Sequence, residues 1–316
     1  AFEKMLEIKG DSDHTKLIDM LTDLNDYSIG IEDVLKEHFD EENIVYWMAF
    51  QILMGNVDTQ NRNVYLYSPL NSDIWYFIAW DNDGCLMRPE YELRNFSDQN
   101  SWEKGISNYW GNILFQRCLK SRSFREKLND AILDLREYLN KDMLTSKIES
   151  YKNVLKPYLY LMPDAEYEPL TSEQYDQIAA SLPDEIEKNY QLYLESLETP
   201  MPFYIGVPTI DGDKLKFNWD VSYDLDAEDI TYSVEVARDY LFRDVIYQNT
   251  TLTVPEAEMD LPKAGQYFVR VRATNTSGKT QDAFDYYVTD EGKYYGMRCF
   301  YITEDSTVEE DDYEEG

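Results

Sequence analysis

Asp58, Asn63, Asp81 and Asp83 are the residues whose types and spacing point to chemistry. Asp58 and Asn63 form a D-x-x-x-x-N pair, and Asp81 and Asp83 stand in Trp80-Asp81-Asn82-Asp83-Gly84. Two β-like runs lie between the pairs, Val64-Tyr65-Leu66-Tyr67 and Ile74 to Trp80, joined by the turn-forming Pro69-Leu70-Asn71-Ser72-Asp73. An antiparallel hairpin of this kind returns Asp81 close to the loop holding Asp58 and Asn63. Metal-assisted phosphoryl transfer needs that arrangement: a carboxylate beside the attacking hydroxyl, and hard oxygen ligands for one or two Mg²⁺. Singly, each Asp or Asn reads as a turn residue. The set in one structural context carries the functional reading.

Other chemistries fit less well. Asp81-Asn82-Asp83-Gly84 lacks the alternating ligands and the twelfth-position Glu of a helix-loop-helix calcium site. No carboxylate pair is spaced for glycoside hydrolysis. The three cysteines, Cys85, Cys118 and Cys299, have no paired spacing, and only His14 and His38 are available to join them in a zinc site. Both histidines read as surface or capping residues. The formal net charge of −33 over 316 residues repels a phosphate backbone and an anionic membrane. It reads first as a solvated acidic surface, and more sharply as a match for a basic partner or substrate. No apolar run is long enough for a membrane span.

The elements that must position these residues change character near residue 200. With 43% hydrophobic and 15% aromatic residues, the chain has material for packed cores, and its length suits two domains. Residues 1–199 read as mainly helical. Asp11-Ser12-Asp13 caps a helix presenting Leu17, Ile18, Leu21 and Leu24, and Ile31 to Phe39 is a short helix. Glu42 to Met54 is an apolar helix with Ile44, Val45, Met48, Ile52 and Leu53 buried, ended by Gly55. Further helices are expected at about 105–119, 123–139, 144–161 and 172–197. Thr199-Pro200-Met201-Pro202 reads as a stiff linker. Beyond it the period becomes two, as in Leu215-Phe217-Trp219, Tyr232-Val234-Val236 and Tyr267-Val269-Val271. Strands at that spacing predict an all-β sandwich over 200–303. The acidic stretch 304–316 reads as a disordered tail. The fold class expected is α+β multidomain.

Two resemblances attach to these segments. Asn56-Val57-Asp58, the Asn63-Val64-Tyr65-Leu66-Tyr67 run and Trp80-Asp81-Asn82-Asp83-Gly84 resemble the motifs of the CotH-type (spore coat protein H-like) atypical kinases, over roughly Lys4 to Leu197. The resemblance implies a kinase-like C-terminal lobe using ATP with Mg²⁺ or Mn²⁺. It implies transfer of the γ-phosphoryl group to Ser or Thr hydroxyls of a protein substrate. Asp58 would orient or deprotonate the acceptor hydroxyl. Asn63 and Asp81 would hold the metal-nucleotide, with Asp83 completing the metal site and Asn61 and Arg62 as neighbours. It also implies an extracellular, cell-surface or spore-coat setting, with a component of that surface as partner. The chain departs from a whole kinase in one respect. No phosphate-covering loop or strand lysine stands ahead of Glu42, and Lys4, Lys9, Lys16 and Lys36 have no strand context. The expectation is therefore of a C-terminal lobe from which preceding residues have been removed. The second resemblance covers about Pro202 to Val288, which is similar to a fibronectin type III module, with Trp219 as core aromatic and Tyr267 placed for a tyrosine corner. A non-catalytic adhesion or scaffold protein, keeping a kinase-like lobe and a binding sandwich, is the alternative reading.

Overall fold

The computed structural model describes residues 13–60, 63–86, 102–168, 170–290 and 292–310. Helices and several antiparallel sheets make an α+β chain, as expected. The helical half is built on α3 (Glu41–Met54), which follows α1 (Thr15–Asn25) and α2 (Ile31–His38). Ile44, Val45, Trp47, Met48, Ala49, Ile52 and Leu53 are all buried, so apolar residues surround the helix and force it into the centre. Asp40 caps it, its Oδ1 accepting from Asn43 N at 2.9 Å. Gly55 ends it in the left-handed conformation that favours glycine. Helices α5 (Arg122–Tyr138) and α7 (Ser172–Glu198) pack against α3, and α6 (Lys141–Leu159) packs on α7.

Several sequence expectations need correction. In α1 the buried residues are Met20 and Leu24, while Ile18 is exposed. Asp13 supplies the start of that helix by accepting from Thr15 N at 3.0 Å; Asp11 and Ser12 lie outside the described residues. The single helix expected at 105–119 is two pieces, a 3₁₀ turn at Ser107–Tyr109 and α4 (Ile113–Lys120). Asn112 separates them because its Oδ1 accepts from Leu114 N and starts a new helix. His38 is buried, with Nε2 2.8 Å from Asp23 Oδ2, rather than a surface or capping residue.

The hairpin consists of β1 (Tyr65–Tyr67) and β2 (Tyr76–Ile78), shorter than the two runs that encode it. The outer edge of β2 is occupied by a side chain instead of a third strand. Asn43 Oδ1 accepts from Phe77 N at 2.6 Å, and Asn43 Nδ2 donates to Phe77 O at 3.1 Å. The Phe77 ring is buried against Trp47 at 4.7 Å and Phe115 at 5.8 Å. Before β2, Trp75 N donates to His38 O and Asp40 N donates to Trp75 O. Lys16 Nζ donates to the carbonyls of Pro69 and Ser72, closing the hairpin turn. The hairpin is therefore fixed to α1, α2 and α3.

After α7 the chain forms an all-β module. The smaller sheet has the order β3 (Thr209–Asp211), β4 (Lys214–Asn218) and β7 (Glu256–Asp260). The larger sheet contains β5 (Ile230–Ala237), β6 (Val245–Leu252), β8 (Gly265–Asn275), β9 (Thr280–Asp282), β12 (Met297–Ile302) and β13 (Val308–Glu310). β10 (Tyr286–Thr289) and β11 (Gly292–Tyr295) make a separate hairpin. Alternate residues of β4, β5, β8 and β12 point into one core, where Leu215, Phe217, Val234, Val269 and Phe300 are buried. Trp219 is buried in that core, and Tyr267 OH donates to Lys263 O at 2.7 Å. Val308–Glu310 pair with β12, so the acidic segment is ordered that far; residues 311–316 lie outside the described residues.

Thr199 to Pro202 is not a free linker. Met201 is fully buried in the helical core, and its carbonyl accepts from Ser222 Oγ at 2.6 Å. Trp102 Nε1 donates to Phe284 O at 3.0 Å, Glu103 pairs with Lys293 at 2.7 Å, and Asn275 Nδ2 donates to Glu198 O at 3.0 Å. The two halves therefore share a packed junction.

Two stability outcomes follow from these contacts. Asn43→Ala strips partners from both backbone groups of Phe77 and is expected to cost about 1–3 kcal/mol, read as a lower urea midpoint with unchanged slope. Near the junction, burial raises the Asp282 carboxyl from 3.8 to about 6, although Arg272 lies 3.0 Å away. Its protonated form is thus favoured by folding. That contribution is complete below pH 3.8 and is lost as pH rises through about 6. Subtracting the urea midpoints of Asp282→Asn from those of wild type across this window should isolate a difference that falls with rising pH.

Candidate functional site

Helix α3 stops at Gly55, and the chain turns at once into a 3₁₀ segment, Val57–Gln60, that carries Asp58. Three amide side chains hold this turn. Asn56 is buried; its Nδ2 donates to Gln51 Oε1 at 3.0 Å and to Asn82 Oδ1 at 3.4 Å. Gln51 Nε2 donates to the same Asn82 oxygen at 3.1 Å, closing the ring. Asn56 Oδ1 accepts from Asp58 N at 3.3 Å. A buried amide without partners is costly, so these three residues constrain one another. They tie α3, the Asp58 turn and the acidic turn after β2 into one unit.

The segment around Ser107–Tyr109 supports the Asp58 turn from the other side. Tyr109 OH lies 3.3 Å from Asn56 O, to which it donates, and 3.1 Å from Thr59 Oγ1. Asn108 Nδ2 donates to Val57 O at 3.4 Å. Burial pushes the Tyr109 hydroxyl far above its ordinary value, so it stays protonated. It is a structural hydrogen-bond group.

The acidic turn meets the Asp58 turn through Gly84. A methyl group placed on Gly84 would stand 2.8 Å from Asn56 Oδ1 and 3.0 Å from Asp58 Oδ2. Only glycine allows that approach. Asp81 begins the turn in the left-handed region, with φ 48° and ψ 60°, and Asn63 has φ 53°. Such backbone is uncommon for residues with a side chain, tolerated best by Asn and Asp, and concentrated at functional sites. In the hairpin register Tyr65 faces Ile78, so Asn63 and Asp81 flank the same open end. There the rings of Tyr65 and Trp80 pack at 4.7 Å.

Of the expected site residues, Asp58, Asp81 and Asp83 are exposed and Asn63 is half-buried. Asp58 and the Asp81–Gly84 turn come together; Asn61 and Arg62 lie outside the described residues. Among the described residues, no three His, Cys, Asp or Glu side chains converge to form a ready-made metal cage. Lys16 is committed to the hairpin turn and Lys36 is exposed on α2; Lys4 and Lys9 lie outside the described residues. Cys85 follows the acidic turn, and burial raises its thiol to about 11, which leaves it protonated and unreactive.

Sequence reasoning missed Gln51, Thr59, Asn82, Asn108 and Tyr109. One signal was present: Gln51 interrupts the apolar run from Trp47 to Met54. The contribution of Tyr109 had no local signal, because it depends on a partner fifty positions earlier. The amide ring makes a quantitative prediction. Asn56→Ala should destabilise by about 1–3 kcal/mol. In a double-mutant cycle with Gln51→Ala, the second substitution should cost less than it does alone, with coupling of about 0.5–3 kcal/mol. Strict additivity would show that the two amides act independently.

No curated protein gives a significant match to the chain. Among solved structures, the chain is similar to "Structure of surface layer protein SbsC, domains 1-6", at 11% identity and a TM-score of 0.17, covering 96% of this chain and 39% of that one. So weak a likeness carries no argument, and the chain spans well under half of that structure. The family described as CotH kinase protein matches residues 1–193, which include the amide ring, the Asp58 turn and the hairpin with its acidic turn. The chain belongs to the CotH kinase protein family.

Proposed function

We propose that this chain is a CotH-type protein kinase module that transfers the γ-phosphoryl group of ATP to Ser or Thr hydroxyls of a protein substrate. The observation that carries the reading is the approach of the acidic turn to Asp58 across Gly84. That contact joins an acceptor-side carboxylate to a second set of hard oxygen donors, the pairing phosphoryl transfer requires.

The donors fit Mg²⁺ or Mn²⁺ by their chemistry. Mg²⁺ keeps several waters and is held by one or two carboxylates together with substrate phosphates. Asn63 and Asp81 would hold the ion, with Asp83 beside them. When bound, the ion would neutralise the charge of the triphosphate. Asp58 orients the acceptor hydroxyl and accepts its proton at a carboxylate oxygen. The amide ring of Gln51, Asn56 and Asn82 keeps Asp58 and the acidic turn in register, so that neither must be ordered when substrate arrives.

The all-β module fits a fibronectin type III-like unit. The Tyr267 hydroxyl reaching back to Lys263 O and the buried Trp219 support that reading. Its role would be to position the kinase module or bind a partner at a cell surface or spore coat, with the division between modules near residue 199. Among the described residues, no helix is long and apolar enough to cross a membrane.

The test is transfer of labelled phosphate from ATP in the presence of Mg²⁺ or Mn²⁺. Asp81→Ala should abolish transfer with folding retained, and Asp58→Asn should reduce it by about 10²–10⁴-fold, the range expected for loss of a positioned acid–base group. Unchanged transfer in Asp81→Ala would overturn the metal assignment.

A further inference from the structure

The C-terminal half of α6 and the turn after it expose an unusual run of apolar side chains. Tyr151, Val154, Leu155, Tyr158, Leu161 and Met162 are each between 53% and 73% exposed. The first four recur at i, i+3, i+4 and i+7, so they form one stripe along the helix. On the whole of α6 only Leu144 is buried. Six large side chains exposed to this degree leave on the order of 700 Å² of apolar surface in water, above the largest patch of a typical monomer.

We infer that this stripe is the self-association surface of the chain, joining two copies through antiparallel α6 helices. Three observations select a second copy as the occupant. The first is area: about 700 Å² per copy approaches the ~800 Å² per partner of a standard stable interface. The second is the order of residues. The segment Tyr151-Lys152-Asn153-Val154-Leu155-Lys156-Pro157-Tyr158 has a near-palindromic apolar pattern about the Val154–Leu155 bond. A two-fold axis there sets Tyr151 against Tyr158 of the other copy and Val154 against Leu155. Such self-complementarity is what an isologous contact requires. One turn earlier, the exposed Lys147 lies on the same stripe, and its aliphatic stem extends the apolar surface. The third is charge. Lys152 and Lys156, the residues an anionic lipid surface would use, are engaged with Asp176 on α7, Lys156 at 2.6 Å and Lys152 at 3.8 Å. Lys152 also pairs with Glu149 at 2.5 Å. Apart from Lys147, the lysines beside the stripe are thus already paired.

Sedimentation of the full chain over a micromolar concentration series tests this directly. Wild type should show a reversible monomer–dimer equilibrium. Dimerisation should tighten with added salt, which screens repulsion between two copies of net charge −33. Val154→Lys and Leu155→Glu place charges at solvent-exposed positions. Each should weaken dimerisation about 100-fold, the effect of an unpaired charge in an interface, with the urea midpoint as control for folding. Mixing the two variants should restore a heterodimer, because the antiparallel register sets the introduced ammonium of one copy against the introduced carboxylate of the other. A monomer at every concentration, or a dimer indifferent to both substitutions, overturns the proposal. So does a mixture that fails to pair. A monomeric wild type that binds vesicles of equal parts phosphatidylserine and phosphatidylcholine, and loses that binding in Leu155→Glu, also overturns it and makes the stripe a lipid contact.

Discussion

Three side-chain amides, packed where the helix, the loop and the hairpin meet, hold the candidate site together. Gln51, Asn56 and Asn82 come from a helix, the loop after it and the turn after a hairpin, and their hydrogen bonds close on one another. Gln51 and Asn56 are buried and would carry a desolvation penalty alone; the ring satisfies most of it. It therefore requires α3 to end where it does, at a left-handed Gly55, and requires β2 to deliver Asn82 to one place. The remainder of the helical half meets those two demands. Asn43 and Lys16 fix the hairpin from two sides, and Tyr109 braces the loop from below.

The carboxylates show the opposite character. Asp58, Asp81 and Asp83 project from this rigid base into solvent. Buried amides can be locked by mutual hydrogen bonds without the cost of desolvating charge, whereas buried carboxylates near one another would repel and take up protons. A polar but uncharged foundation under exposed acids avoids that conflict. It also explains why Gly84 sits between the two groups: its missing side chain is the space in which Asn56 and Asp58 meet the turn.

Much of this was legible in the sequence, for reasons that differ by element. The amphipathic and apolar periods marked the helices, and the change to alternation after residue 200 marked the strands. The hairpin could be anticipated because a turn-rich stretch separates two aromatic runs. The side chain that occupies the outer edge of β2 could not, because Asn43 lies thirty-four positions away. The break at Asn112 was missed because an apolar period continues through it while the side chain starts a new helix. Ile18 flanks the stripe of α1 and faces solvent, whereas Met20, three residues after Leu17 and four before Leu24, completes that stripe and is buried. Thr199 to Pro202 looked like a linker by composition, yet Met201 is buried by partners from both halves. Tertiary contacts decided the strand edge and the linker; the Asn112 break and the stripe of α1 are local, carried by a side chain that accepts from the backbone two residues on and by helical spacing.

That packed junction limits how the two halves can cooperate. A flexible tether lets a bound molecule sample a wide volume around a site, so that many geometries are reached at modest effective concentration. Here Trp102 is locked to Phe284, Glu103 to Lys293 and Asn275 to the end of α7. Were the all-β module to hold a molecule, this junction would present it to the acidic turn from one direction and over one span. Such an arrangement would act as a ruler rather than a leash: it would select by the distance between two features of a bound molecule, and a change of a few residues in that spacing would remove the advantage altogether.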